Sequence, residues 1–324
     1  MSRAVRPAPV KLTLKQIAHY CDVLASEYAD HNSETAGTYE RALREFQRYY
    51  ARQRHFFFRR SDVEKYRAYL AEQREFKNAS IATYMTALRK LIQKLLDAAL
   101  LQDNAALEVV GGARPQVHNR VFLHPPEIDL LLETVAGSEA ADLRDNAIIR
   151  LMLSCGVAEQ ELVAADIEDI RTDAAEAELR VQGKGRATKD ALVDVPPATF
   201  DALQRYVAKR SADTTDRPLF TSFSGRSKGK RLTKRGLRML LNARLEASGV
   251  KRNRDRILTP FSLRHTCGVL LVKAGCTERE IMRRMRIEWL YTARQYVRAA
   301  QMMKCDAQEA RAYLGWAAET MQVS

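Results

Sequence analysis

Paired cysteines are missing. The 324 residues include five cysteines, Cys21, Cys155, Cys267, Cys276 and Cys305. The number is odd and no C-x-x-C spacing occurs, so neither a disulfide framework nor a zinc knuckle is expected. Long apolar runs are missing too: none approaches the roughly 18–20 residues of a membrane span. The opening MSRAVRPAPVKLTL lacks the apolar stretch of a signal peptide. These absences predict a cytoplasmic chain. Acidic residues are in deficit, 40 Asp+Glu against 53 Lys+Arg, giving a net charge of +13. Such an excess predicts a polyanionic partner. Nucleic acid is favoured over a membrane because no amphipathic lipid-seeking segment stands out, and a nucleoid-associated location is expected with such a partner. With 46% hydrophobic and 29% charged residues, the chain is expected to fold and not to remain disordered.

The length predicts two domains. Residues 1–12 carry two of the nine prolines and read as a flexible tail. From 13 to 110 the apolar period is helical. Leu14, Ile17, Cys21 and Leu24 define one helix, and Tyr39, Leu43, Phe46 and Tyr50 a second, with Ser33 as its candidate cap. A third starts at Ser61-Asp62 and a fourth at Asn78 or Ser80. Residues 111–121, with two glycines and a proline, read as a linker. Residues 122–303 form the second domain, mainly α. Its 178–182 and 191–195 segments alternate around Gly183-Lys184-Gly185 as a β-hairpin does. A last helix is predicted over about 304–321, within a C-terminal element spanning 304–324.

Basic residues cluster in the second half. Arg226, Lys228, Lys230, Arg231, Lys234, Arg235 and Arg238 fall within thirteen positions. Lys251, Arg252, Arg254 and Arg256 follow, then Arg279, Arg283, Arg284 and Arg286. One such cluster would be an ordinary solvated face; three in one half, with the net charge, point to phosphate-backbone contact. The Gly183-Lys184-Gly185 turn alone is weak evidence, and it lacks the spacing of a P-loop.

Thr259-Pro260-Phe261-Ser262-Leu263-Arg264-His265-Thr266, followed by a helix, a stop at Gly275, a further helix and then Tyr296, is more specific. This half resembles the catalytic domain of the tyrosine site-specific recombinases of phage-integrase type. The preceding bundle resembles that family's SAM-like core-binding domain. The resemblance implies a clamp around duplex DNA, an all-α first domain, and a mainly α second domain with a small antiparallel sheet.

The family's T-G-L-R-x-S-E-L turn falls on 155–162, where Gly156, Glu161 and Leu162 match but the arginine position holds Ala158. Its hairpin lysine matches Lys184. Its H-x-x-R box keeps Arg264 but holds Phe261 at the histidine position, and its L-G-H turn holds Ile287 in Met285-Arg286-Ile287. The nucleophilic tyrosine matches Tyr296. The family's reaction joins tyrosine to a 3′-phosphate without any metal or cofactor, so arginines must neutralise the transition state and lysine and histidines must move protons. The resemblance therefore implies Tyr296, Arg264 and Lys184 as surviving catalytic positions and Ala158, Phe261 and Ile287 as lost ones. Arg150, Arg286 and Arg294 are candidates to stand in for the missing arginine, and no sequence feature singles one out. His265 is taken as structural.

The expectation is sequence-specific DNA binding with inefficient strand cleavage, as a regulator or accessory subunit of a mobile element or phage. The chain would act as a homo-oligomer on DNA or beside an intact recombinase, with its last helix packed on a neighbour. An active recombinase and an architectural DNA-bridging protein are the alternatives.

Overall fold

The structure is a computed structural model. It describes residues 11–29, 33–112, 121–173, 176–183, 186, 188–210, 218–223, 225–252 and 256–316. Lys184 and Arg254 lie outside the described residues. The chain divides into two compact units, Met1–Gln116 and Val117–Ser324.

The first unit is a helical bundle: α1 (Leu14–Ala29), α2 (Ser33–Ala51), α3 (Arg60–Glu72) and α4 (Asn78–Asp97). Ile17, Leu24, Leu43, Phe46, Tyr66, Leu88 and Leu91 are buried along one stripe of each helix and form a single core. A fully buried Leu or Phe contributes about 1.5–3 kcal/mol, which is what holds these four helices together. Helix α3 begins one residue before the predicted Ser61. Asp62 is its third residue, and its carboxylate accepts from the N–H groups of Phe57, at 2.8 Å, and Arg59, at 3.3 Å. Leu12, assigned from sequence to the tail, is buried: its carbonyl accepts from the Tyr50 hydroxyl at 2.6 Å. The division between the units falls inside the predicted linker. At that segment's start, Gly112 lies so close to α4 that a Cβ there would meet the Asn78 carbonyl oxygen at 2.0 Å.

The second unit is mainly α around one core. Its elements are α5 (Pro125–Glu133), α6 (Ala140–Ser154), α7 (Glu159–Ala164), β1 (Ile170–Asp173), β2 (Glu176–Val181), β3 (Ala191–Val195), α8 (Pro197–Lys209), α9 (Lys234–Ala247), α10 (Phe261–Lys273), α11 (Glu278–Arg284), α12 (Leu290–Ala300) and α13 (Ala307–Leu314). The predicted hairpin is β2–β3, antiparallel, with Leu179 opposite Val193. Strand β1 adds a third member in the order β1-β2-β3. Helix α10 is buried from Ser262 to Leu271 except at the half-buried His265, with α6, α12 and α13 packed against it. It ends at Gly275, whose φ of 95° suits glycine.

The last helix is shorter than predicted. Gly315, at φ 72°, takes the left-handed C-cap of α13 after Leu314. Helix α13 packs on its own chain. Ala310 and Leu314 are buried in the core against α6 and α10, and the Tyr313 hydroxyl donates to Asp129 Oδ2 at 2.9 Å. Among the described residues no helix is long and apolar enough to cross a membrane.

Candidate functional site

Gly156 ends α6 at a φ of 58°, a conformation open to glycine without steric cost. The turn leads to Ala158, the N-cap of α7. A methyl group cannot cap a helix, so Glu161 does the reciprocal work: its Oε2 accepts from the Ala158 N–H at 2.7 Å. Glu161 is buried. Burial alone would raise its carboxyl, but hydrogen bonds and charge from Arg286, together with Arg264, hold it below the ordinary carboxylate value.

Arg264 projects from α10 into the same place. Its guanidinium donates to the Gly156 carbonyl and to the Met285 carbonyl, and lies 3.5 Å from Glu161. Burial, and then the charge of Arg286, lower its pKa. Arg286 arrives from the turn after α11. Its Nε donates to Glu161 Oε1 at 2.8 Å, and its terminal nitrogen to Glu161 Oε2 at 2.7 Å and to the Gly156 carbonyl at 2.9 Å. Two guanidinium groups thus bracket one carboxylate and one carbonyl.

Tyr296 lies on α12, an amphipathic helix that the sequence pattern did not single out. Its side chain is 2% exposed and packs on α10. Its hydroxyl is 3.1 Å from His265 Nδ1, and the two rings are 5.9 Å apart at 50°. His265, expected to be structural only, therefore holds the hydroxyl of the candidate nucleophile. Phe261 sits one turn earlier on α10, edge-on to the His265 ring at 4.9 Å. It is 40% exposed, and Ile287 packs against the core beside Arg286.

Gly268 makes room for this tyrosine. A Cβ at 268 would lie 2.6 Å from the Tyr296 ring. Gly268→Ala is expected to push the ring and α12 outward and lower stability by about 1–3 kcal/mol, read as a fall in thermal midpoint. An unchanged midpoint would show that the ring yields freely.

The three candidate stand-ins for the arginine missing at 158 separate cleanly. Arg150 bonds Asn146 Oδ1 within its own helix at 2.8 Å, and Arg294 faces Glu278 at 3.3 Å. Arg286 reaches Glu161 and Gly156. No motif marks Arg286, because its partners lie 125 and 130 residues away in the chain.

The basic cluster divides as well. Arg231 ties down the α7–β1 connection through the carbonyls of Val163 and Ala165, at 3.1 Å each, and through Asp166. Arg238 bonds Glu159 at 2.7 Å, and Lys251 bonds Asn242 at 2.7 Å and Glu246 at 3.3 Å. Arg226, Lys228, Lys230, Arg235 and Arg252 are exposed, with Lys234 half-buried among them.

Comparison with known proteins fits this geometry. The family model described as "Phage integrase family" matches residues 121–303, and "Phage integrase, N-terminal SAM-like domain" matches 17–99. The chain is 29% identical over 238 residues to tyrosine recombinase XerC of Leptospira interrogans serogroup Icterohaemorrhagiae serovar copenhageni (strain Fiocruz L1-130), covering 73% of each. It is 29% identical over 242 residues to tyrosine recombinase XerC of Syntrophus aciditrophicus (strain SB), covering 72% of this chain and 75% of the other. In fold it is similar to the XerH site-specific recombinase bound to palindromic difH substrate, with a TM-score of 0.66, 15% identity, and coverage of 92% and 88%. The Tn1549 transposon integrase in complex with a circular intermediate DNA aligns at a TM-score of 0.64 and 16% identity, covering 91% and 98%. A match that spans more than half of the chain and carries Arg264 and Tyr296 inside it decides the family: the chain belongs to the phage integrase family of tyrosine recombinases.

Proposed function

We propose that the chain binds a specific duplex DNA sequence through both of its units and that its strand-cleaving step is slow. The observation that carries this reading is the content of the site. It holds a tyrosine and two guanidinium groups, whereas positions 261 and 287 present a phenyl ring and an alkyl chain where the family moves protons. Losing a positioned acid–base group costs about 10²–10⁴ in rate. Such a chain serves a mobile element or phage as a regulator or accessory subunit, in the cytoplasm, as a homo-oligomer on DNA or beside an intact recombinase.

An active recombinase is the second reading. It is favoured by the 3.1 Å approach of His265 to the Tyr296 hydroxyl, since an imidazole there can take the hydroxyl proton. Lys184 is proposed to serve the leaving group in that case.

Duplexes selected from a randomised library by the full chain test the binding reading. A protein meeting 6–10 phosphates loses about 10³–10⁵ in affinity between 50 and 200 mM salt. Replacing Arg226, Lys228, Lys230 and Arg235 with Ala is expected to flatten the salt slope by about one for each phosphate no longer met. Arg231→Ala is expected to act on stability first, because it unties Asp166. Failure to enrich any duplex, or an unchanged slope in the fourfold variant, would count against specific backbone binding.

A further inference from the structure

Arg286 stands where arginine is uncommon. Its φ is 51°, in the left-handed region that costs a side-chain-bearing residue energy. From that backbone its side chain turns inward and is only 11% exposed. There it joins Arg264, 10% exposed, over the single carboxylate of Glu161, 5% exposed. The neighbouring acids are already matched, Glu159 by Arg238 at 2.6 Å and Asp194 by Arg284 at 3.3 Å. The cluster thus holds two cations against one anion. A buried surplus cation is costly unless an anion completes it.

We infer that Arg286, from its left-handed turn, supplies the second guanidinium of a seat for one DNA phosphodiester, shared with Arg264 and lying beside the Tyr296 hydroxyl. Position 158 carries only the methyl group of Ala158, and Glu161 is the anion that Arg286 meets with two hydrogen bonds. The crowding shows at Arg264: burial and then the nearby Arg286 charge lower its pKa, as two enclosed cations sharing one carboxylate should. Binding the phosphate requires Arg286 to exchange part of its hold on Glu161 for the non-bridging oxygens, which a planar fork with five donors can do without leaving the site.

The inference rests on duplex binding, and the test separates the two. A selected duplex is scanned with a single neutral methylphosphonate at each phosphate in turn. For the unmodified chain, one phosphate is expected to lower affinity about tenfold when neutralised, the size of a lost charge-assisted pair. In Arg286→Gln, which keeps a donor for the Gly156 carbonyl, that penalty is expected to shrink to about two- to threefold while the others stay. Arg286→Gly, which relieves the left-handed strain, is the second variant and should behave alike. A penalty profile identical in the unmodified chain and a folded variant would make Arg286 a structural partner of Glu161 only. A flat scan of the unmodified chain, with no phosphate above about twofold, would also overturn the seat. Failure to select any duplex would instead sink the binding reading.

Discussion

Phe261→His together with Ile287→His is expected to raise the rate of covalent protein–DNA product on a nicked, selected duplex at least about 100-fold over the unmodified chain. The cations are already in place. Arg264 and Arg286 meet at Gly156 and Glu161, so charge on the non-bridging oxygens has partners. On the proposed reading, what slows the site is the absence of proton-moving groups at 261 and 287. Phe261 occupies the first turn of α10, one turn before His265, and is open enough to accept an imidazole without repacking. Ile287 follows Arg286 directly, and its N–H is held by the Met282 carbonyl at 2.9 Å, so the backbone under a new histidine is fixed. Tyr296→Phe in the same background should remove the product. Ala158→Arg alone is expected to add less, because the place it would fill beside Glu161 is taken. The opposite order of effects would mean that the phosphate clamp, and not proton transfer, is what the chain lost. Robust Tyr296-dependent strand exchange by the unmodified chain would promote the recombinase reading outright.

The two units and most helices were legible because their apolar residues recur at helical spacing and their ends carry ordinary signals. Gly275, for one, stops α10 where the sequence places a helix stop. Short or one-sided elements were not legible. Strand β1 has four residues and takes its order from β2, and α7 has six residues and is capped from within by Glu161. The length of the last helix was misread because Gly315 stands inside an apolar pattern that otherwise continues to Trp316. At the site, Arg264 and Tyr296 could be found through the resemblance, because they match the family's motifs in order and spacing. Arg286 and His265 could not. One depends on a backbone conformation that arginine seldom adopts, and the other on two helices crossing at Gly268, where no side chain intervenes.

Glu161→Gln is expected to destabilise the chain and tighten its hold on DNA at the same time. The carboxylate accepts from Arg286 through both oxygens, lies within 3.5 Å of Arg264 and accepts the Ala158 N–H at 2.7 Å. Removing one partner of a buried ionic cluster costs about 3–5 kcal/mol, because the remaining charges stay buried without compensation. Here two guanidinium groups would face each other. The neutral amide keeps an acceptor for the Ala158 N–H, so the loss belongs to the charge and not to the helix cap. The pH dependence has a definite sign. The folded carboxyl binds its proton less readily than the unfolded one, whose ordinary value is 4.5. Its stabilisation is therefore complete above about pH 4.5 and is lost as pH falls through the lower folded value. Acid melts of the unmodified chain should show that loss, and Glu161→Gln should lack its share of it. A DNA phosphate would then meet a seat with two uncompensated cations, so affinity for the selected duplex, measured where both chains are folded, is expected to rise severalfold. Destabilisation with unchanged or weaker DNA binding would separate the arginine pair from the phosphate and leave Glu161 a purely structural anion.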